Sequence, residues 1–385
     1  MDQKILFCAT WDIHFKKFHL PYFKWFKDQG WQVHVAASGD AFLPFVDERF
    51  HLPIKRSPFS KDNLRAFRIL KAIIKDGDYR IVHCHTPMGG ALTRLAARKV
   101  RKQTGVKVVY TAHGFHFYQG APWVNWLVYY PIEKWLASYT DCLVTINQED
   151  LYQAIHHRFR AARVGHVHGV GVDVGTFQPV NQDRKRQLRK ACGNDPDAFL
   201  MFYAAEFNRN KNQQWLIRLM ARIKETAPDI RLLLAGEGPL LKDCQALASK
   251  LDVADRIDFL GYQDDIRPFL QQCNLAVAAS YREGLPVNIL EAMATGLPVI
   301  ASQNRGHREL IEDGVNGYLI PINDTEQFLP MLLQLYRSKS LCETMGLASL
   351  KRIDAFSVEN IAAELKAIYQ PYMSQELDFK LLRKA

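Results

Sequence analysis

Short apolar runs alternate along this chain with longer segments in which apolar residues recur every three or four positions. The runs at 5–9, 32–37, 81–85, 106–111, 142–146 and 166–168 read as buried strands. Helical spacing appears between them at 88–102, 123–138 and 148–156, and from Pro21 onward. The second half repeats the pattern, with strand-like runs at 200–205, 230–235, 257–260, 274–279, 299–301 and 318–320. Strands that alternate with helices predict an α/β fold built on parallel sheets with helices on both faces. The pattern breaks between Asp173 and Ala198, where Phe177-Gln-Pro-Val-Asn-Gln-Asp and Gly193-Asn-Asp-Pro are polar and interrupted by proline, so a domain boundary is expected there. Beyond Asp324 the chain reads as helical, ending in a helix at about 357–373. A length of 385 residues is too great for one ordinary core and fits two domains.

Segment 280–302, Ser-Tyr-Arg-Glu-Gly-Leu-Pro-Val-Asn-Ile-Leu-Glu-Ala-Met-Ala-Thr-Gly-Leu-Pro-Val-Ile-Ala-Ser, organises the second half. It reads as the end of a strand, a loop, a helix over 287–295 and a strand from Val299. Pro286 suits a first helical position, because it lacks the N–H that would go unpaired there. Glu283 then lies in the loop at the strand's C-terminal end and Glu291 lies on the helix. The amides of the helix start fall between them. Unpaired N–H groups and the helix dipole favour an anion, so a phosphate could sit there with a carboxylate reaching hydroxyls on either side. Two glutamates at this spacing would mean little alone; their setting gives them weight.

Three further loops follow predicted strands. Tyr110-Thr-Ala-His-Gly-Phe-His-Phe117 puts His113 where α/β proteins form ligand sites. Ala205-Glu-Phe-Asn-Arg-Asn-Lys-Asn212 puts Arg209 and Lys211 at a helix start, where positive charge is disfavoured unless an anion is near. In Leu234-Ala-Gly-Glu-Gly-Pro239, Gly236 and Gly238 would let backbone approach a ligand on either side of Glu237.

These segments, with Gly306-His-Arg-Glu-Leu-Ile-Glu-Asp-Gly-Val-Asn-Gly-Tyr-Leu-Ile320 after them, closely resemble the glutamate–seven–glutamate signature and neighbouring loops of retaining glycosyltransferases of family 4. The Tyr110–Tyr118 and Tyr129-Tyr-Pro-Ile-Glu-Lys-Trp135 stretches resemble the subset that makes exopolysaccharide, capsule or lipopolysaccharide. The resemblance implies the GT-B fold, two Rossmann-like domains facing across a cleft. It implies an acceptor-binding domain at 1–175, a nucleotide-sugar-binding domain at 195–356, and a helical segment at 357–385 that packs back on the first domain. It implies transfer from a nucleotide diphosphate sugar, expected to be a UDP-sugar, to a lipid-linked saccharide with the anomeric configuration kept. In this scheme His113 and Glu283 serve the reacting centre, with Glu283 binding sugar hydroxyls rather than acting as nucleophile. Lys211, Arg209 and the Gly284–Leu285 amides would hold the pyrophosphate, and Glu291 the ribose. Gly236, Glu237 and Pro286 would line the donor, and His14, His19 and His116 the acceptor. No metal or other cofactor is implied. The chain departs from the family pattern at Glu206, which stands where an arginine is usual and leaves Arg209 to take its place. It also lacks the glycines that many members carry after the first strand, having Ala9-Thr-Trp-Asp-Ile-His14 there.

Composition narrows the alternatives. The net charge of +10 is confined to residues 1–180, which hold 24 Lys+Arg against 14 Asp+Glu; residues 181–385 hold 26 of each. Such a one-sided field attracts polyanions: anionic lipid, lipid pyrophosphate or nucleic acid. In Phe15-Lys-Lys-Phe-His-Leu-Pro-Tyr-Phe-Lys-Trp-Phe-Lys27 cations and rings interleave; Tyr22, Phe23 and Phe26 suit a buried stripe, while Phe15, Phe18 and Trp25 look like surplus aromatic surface for a membrane. The basic residues form no single stripe, so nucleic acid is not an expected partner. Seven scattered cysteines without a C-x-x-C pair argue for a reducing compartment. With no signal-like start and no apolar run of about 20 residues, a cytoplasmic protein held at the inner face of the cytoplasmic membrane is expected. His83 and His85 share a strand face and could chelate, yet no carboxylate or cysteine completes a set, so ordinary polar contacts are expected for them. A non-catalytic relative, a sugar-nucleotide hydrolase or an epimerase of the same fold is the main alternative; the latter two need an acid–base pair beside Glu283 that the sequence does not supply.

Overall fold

The computed structural model describes residues 3–373. The chain forms two compact units, one running to Gly169 and resuming at Ile361, the other spanning Val170–Asn360. The first holds strands β1 (Lys4–Trp11), β2 (Gln32–Ser38), β3 (Glu48–His51), β4 (Ile81–His85), β5 (Lys107–Ala112), β6 (Cys142–Thr145) and β7 (Arg163–His166). They form one parallel sheet in the order β3-β2-β1-β4-β5-β6-β7. Register sets Phe7 beside His83 and His85 beside Thr111.

Alternation along the strands explains the two layers. Leu6, Cys8, Val82 and Cys84 enter a core with helices Lys61–Asp76 and Pro87–Thr104. Phe7 points to the other face, where it meets Phe15, Phe23 and Phe26 from helices Ile13–Phe18 and Leu20–Asp28. Full burial of each such ring contributes about 1.5–3 kcal/mol. Tyr22, Phe23 and Phe26 are buried as expected. Phe15 is buried too, and Trp25 stacks on Tyr369 with Lys366 above it. Of the three rings expected as surplus aromatic surface, Phe15 and Trp25 are thus engaged in packing, and Phe18 is half-buried beside His14.

The second unit holds β8 (Phe199–Ala204), β9 (Ile230–Ala235), β10 (Ile257–Gly261), β11 (Leu275–Ala278), β12 (Val299–Ser302) and β13 (Gly317–Ile320). Its sheet is also parallel, in the order β10-β9-β8-β11-β12-β13. A separate core covers both of its faces.

Three differences from the sequence reading have physical causes. β3 was not expected, because an exposed edge strand needs no apolar run. The edge strand expected at 166–168 lies at Arg163–His166, since its Arg-Val-Gly-His composition gives no alternation to fix register. The expected connector at 173–198 contains helix Gln182–Ala191, capped by the Asn181 side chain, and belongs to the second unit. Buried Arg189 docks that helix through the Gln272 carbonyl at 2.9 Å and Asn274 at 2.6 Å.

Helix Val358–Met373 ends the described chain; the expected segment 374–385 lies outside it. From Ile361 on, this helix packs within the first unit. Tyr369 is fully buried against Phe26 and Trp25, and its hydroxyl lies 2.5 Å from His83 Nδ1. Glu364 accepts from the amide and ring of His168. Tyr369→Phe is expected to destabilise the protein by about 1–3 kcal/mol, because His83 Nδ1 loses its partner in a buried site. Tyr369→Ala adds a cavity and is expected to cost about 3–5 kcal/mol. Equilibrium urea unfolding checks both, and an unchanged midpoint for either variant contradicts this packing account.

Candidate active site

In a parallel sheet, loops from two neighbouring strands diverge where chain order reverses, and a crevice opens at their C-terminal ends. In the second unit the reversal falls between β8 and β11. The loop after β8 carries Arg209 and Lys211, and the loop after β11 carries Glu283. The structure joins them there: Lys211 Nζ lies 2.5 Å from Glu283 Oε1, with both side chains largely buried.

Neighbouring groups lock this pair. Tyr203, buried at the end of β8, bonds Ser280 at 2.8 Å and the Lys211 carbonyl at 3.1 Å. The Asn210 side chain donates to the Arg282 carbonyl at 2.9 Å, and the Asn210 carbonyl accepts from the Tyr281 amide at 2.8 Å. Asn212 adopts the left-handed region, φ 58°, and reaches Ala279 and Asn323. Arg305 Nε donates to the Glu283 carbonyl at 3.1 Å. Asn304 caps helix Arg305–Leu310 and also donates to the Ser280 carbonyl. His307 is fully buried on the Ser302 carbonyl, and burial holds its pKa below the usual histidine value despite the nearby Glu283 charge. Tyr203, Asn210, Arg305 and His307 were not singled out from sequence. Their signal was weak, being polar residues at strand ends and in an asparagine-rich loop.

The other residues of these loops lie at the expected strand and helix ends, with one shift at Pro286. Helix Val287–Ala294 starts one residue after Pro286, so Pro286 is its N-cap rather than its first residue. Its extended backbone, φ −81° and ψ 110°, together with a missing N–H, suits the half-in position equally well. Glu291 lies on this helix, and Gly284 and Leu285 precede it. Gly306 packs so closely that an added Cβ would stand 2.7 Å from Glu283 Cβ. Gly236 follows β9 with φ 135°, where a Cβ would meet the Ala205 carbonyl oxygen at 2.2 Å. Gly238 approaches Phe207 in the same way, and Glu237 between them is exposed. Glu206 is exposed and accepts from Asn208, while Arg209 is exposed nearby. A cavity of about 550 Å³ in this unit, lined by Lys185, Arg189, Phe199, Asn274, Thr295 and Tyr336, opens at the opposite, N-terminal edge of the sheet and shares none of these loops.

In the first unit the reversal falls between β1 and β4. Thr86, just after β4, is a β-branched residue at φ 63°, held by hydrogen bonds to the amide and hydroxyl of Thr10. Histidines crowd here. His14 and His19 come from the chain after β1, His83 and His85 from β4, and His113 from the loop after β5. His83 is satisfied by Tyr369 and by Thr111 at 2.8 Å, the polar contacts expected for it. His85 departs from that expectation: Nδ1 lies 3.3 Å from His113 Nε2, but Nε2 is buried with no hydrogen-bond partner. The His14 ring lies edge-on to His113 at 4.7 Å. His19 is buried. Burial lowers the pKa of all five, that of His113 to about 4 and that of His83 to about 3, so these rings are neutral near pH 7. His116 stacks on Tyr129 at 4.6 Å.

Residues 184–352 match the family described as Glycosyl transferases group 1, and residues 23–176 match Glycosyltransferase Family 4. The chain is 50% identical over 376 residues to the protein named "Putative glycosyltransferase EpsD" of Bacillus subtilis (strain 168), covering 98% of each. It is 28% identical over 312 residues to the UDP-Gal:alpha-D-GlcNAc-diphosphoundecaprenol alpha-1,3-galactosyltransferase of Escherichia coli, covering 80% of this chain and 79% of that one. Its fold matches that of Anabaena Alr3699/HepE in complex with UDP at a TM-score of 0.76 and 18% identity, covering 96% of this chain and 100% of that one. The chain belongs to the glycosyltransferases of family 4, and its two parallel Rossmann-like sheets are those of the GT-B fold.

Gly236→Ala is expected to lower stability by about 2–3 kcal/mol, since it combines a disfavoured φ with a clash against fixed backbone. Gly314→Ala, also at positive φ (77°) but facing open space, is expected to cost about 1 kcal/mol from the left-handed backbone alone. Thermal unfolding of the two variants side by side checks the contrast, and equal shifts contradict it.

Proposed function

We propose that this glycosyltransferase moves a sugar from a UDP-sugar to a lipid-linked saccharide in bacterial surface polysaccharide synthesis, keeping the anomeric configuration. The observation that carries the reading is the meeting of Lys211 and Glu283 where the β8 and β11 loops converge. In the proposed complex Lys211, aided by Arg209, swings to the pyrophosphate and neutralises the charge that grows as it leaves. The amides of Gly284 and Leu285 and the start of helix Val287–Ala294 complete the anion site. Glu283, released from Lys211, binds sugar hydroxyls, and Glu291 binds the ribose. Gly236, Glu237 and Pro286 line the donor. His113 steadies the reacting centre, and His14 and His116 serve the acceptor. Attack comes from the front face, with the leaving phosphate taking the acceptor proton, and two cations at the phosphates leave no need for a metal there.

The UDP bound in the Anabaena structure and the diphosphoundecaprenol named for the Escherichia coli relative support this choice of donor and acceptor. A site for the lipid side is proposed on helix Trp123–Ala137. Buried Arg94 anchors its inner face through Glu133 at 2.9 Å, with Trp126 and Tyr130 packed beside it. Its outer face exposes Trp123, Val124, Leu127, Val128, Ile132 and Trp135, with Leu127 65% exposed. Such a continuous apolar row with two tryptophans suits the interface of a bilayer. Among the described residues no helix is long and apolar enough to cross a membrane. The basic excess of residues 1–180 adds attraction to an anionic surface.

UDP is expected to raise the melting temperature more than GDP, ADP or CMP. At about 100 times its dissociation constant it contributes about 2.7 kcal/mol. Lys211→Ala is expected to weaken UDP at least tenfold, the loss of one charge-assisted hydrogen bond. No stabilisation by any nucleotide contradicts the donor reading. Leu127→Glu with Trp135→Glu is expected to abolish co-sedimentation with anionic vesicles while leaving UDP binding intact; unchanged sedimentation removes this helix as the docking face.

A further inference from the structure

The chain after β1 and the end of β4 bring together three imidazoles, of which the proposed transfer uses only His14, at the acceptor. One ring nitrogen from each of His14, His19 and His85 lies within 4.8 Å of the others. His14 Nε2, His19 Nδ1 and His85 Nε2 are each buried with no hydrogen-bond partner. Three buried ring nitrogens without partners in one small region is an unusual arrangement, because buried polar atoms are nearly always paired.

We propose that His14, His19 and His85 form a binding site for one divalent transition-metal ion of the zinc type. Three atoms up to 4.8 Å apart share a point about 2.8 Å from each. Zinc–imidazole bonds need roughly 2.0–2.1 Å, so each nitrogen moves inward by about 0.7 Å. That is within the reach of small rotations at each side chain. The donor set is chemically apt, since imidazole suits zinc, copper, iron and nickel and no carboxylate or thiolate is required. Cys8 and Cys84, the nearest thiols in sequence, are buried in the core on the opposite face of the sheet. His14 is partly exposed.

The surroundings resemble a second coordination sphere. Binding through His85 Nε2 leaves the proton on Nδ1, which then donates to His113 Nε2 at the observed 3.3 Å. This fixes the tautomer of His113, with its own proton on Nδ1. His83 sits beside His85, ring centroids 4.1 Å apart, and is oriented by Tyr369 and Thr111. Three protein ligands leave a fourth position for water or a substrate oxygen, the arrangement of an open rather than a sealed site. The ion belongs to the first unit and is separate from the cations proposed to hold the donor pyrophosphate. Its role is to tie the loop after β1 to β4 and to set the orientation of His113.

The test uses untagged full-length protein, stripped with chelator and then given Zn²⁺ or Co²⁺ alone. One equivalent per chain is expected to remain after desalting. The Co²⁺ form is expected to show the intense visible absorption of a four-coordinate site. X-ray absorption at the zinc edge of the unaltered protein is expected to show three imidazoles and one light oxygen ligand, which needs no variant to fold. His14→Ala with His85→Ala is expected to lower affinity at least a hundredfold, with circular dichroism as the check on folding. UDP-induced stabilisation, which reads the other unit, is expected to be unaffected. Failure to retain stoichiometric metal, a sulfur-containing shell, or equal retention by the folded double variant overturns the proposal. None of these outcomes bears on whether UDP binds at Lys211.

Discussion

The constraint on which the site depends is the reversal of strand order in a parallel sheet. Parallel strands send every following loop to the same edge, and the reversal parts two loops that would otherwise lie side by side. In the second unit the reversal at β8 and β11 brings a lysine and a glutamate 72 positions apart in the chain into one ion pair at 2.5 Å. The surrounding asparagines, Tyr203 and Arg305 act on backbone carbonyls of the same two loops. Their work is to hold the shape of the two loops around the ion pair.

The sheets were legible in the sequence because both faces of a parallel strand are buried, which leaves near-continuous apolar runs such as Ile230–Ala235. What escaped were the strands that break that rule: β3 is exposed and β7 is short and polar. The loops after β8 and β11 were legible through Lys211, whose charge at a helix start demands a nearby anion. The structure supplies one in Glu283. Arg305 and Asn210 were not legible, because their targets are backbone carbonyls that no side-chain pattern reports.

Two surfaces show how topology overrules a local reading. The aromatic, basic start of the chain suggested a membrane face, yet Phe15 and Trp25 are taken up by the sheet and by the last helix. The exposed apolar row instead lies on helix Trp123–Ala137, whose sequence is so evenly apolar that periodicity alone gave it no outward side. Likewise His83 and His85 lacked partners for a chelate in sequence. His14 and His19 reach His85 only because β1 and β4 are neighbours in the sheet.

The most direct test of the donor assignment is a crystal structure of the protein with UDP. The account predicts the diphosphate within hydrogen-bond distance of Lys211 Nζ, the ribose hydroxyls on Glu291, and Glu283 freed from its ion pair. Density for UDP in the cavity beside Lys185 and Arg189, at the other edge of the sheet, with the Lys211–Glu283 pair undisturbed, would contradict it.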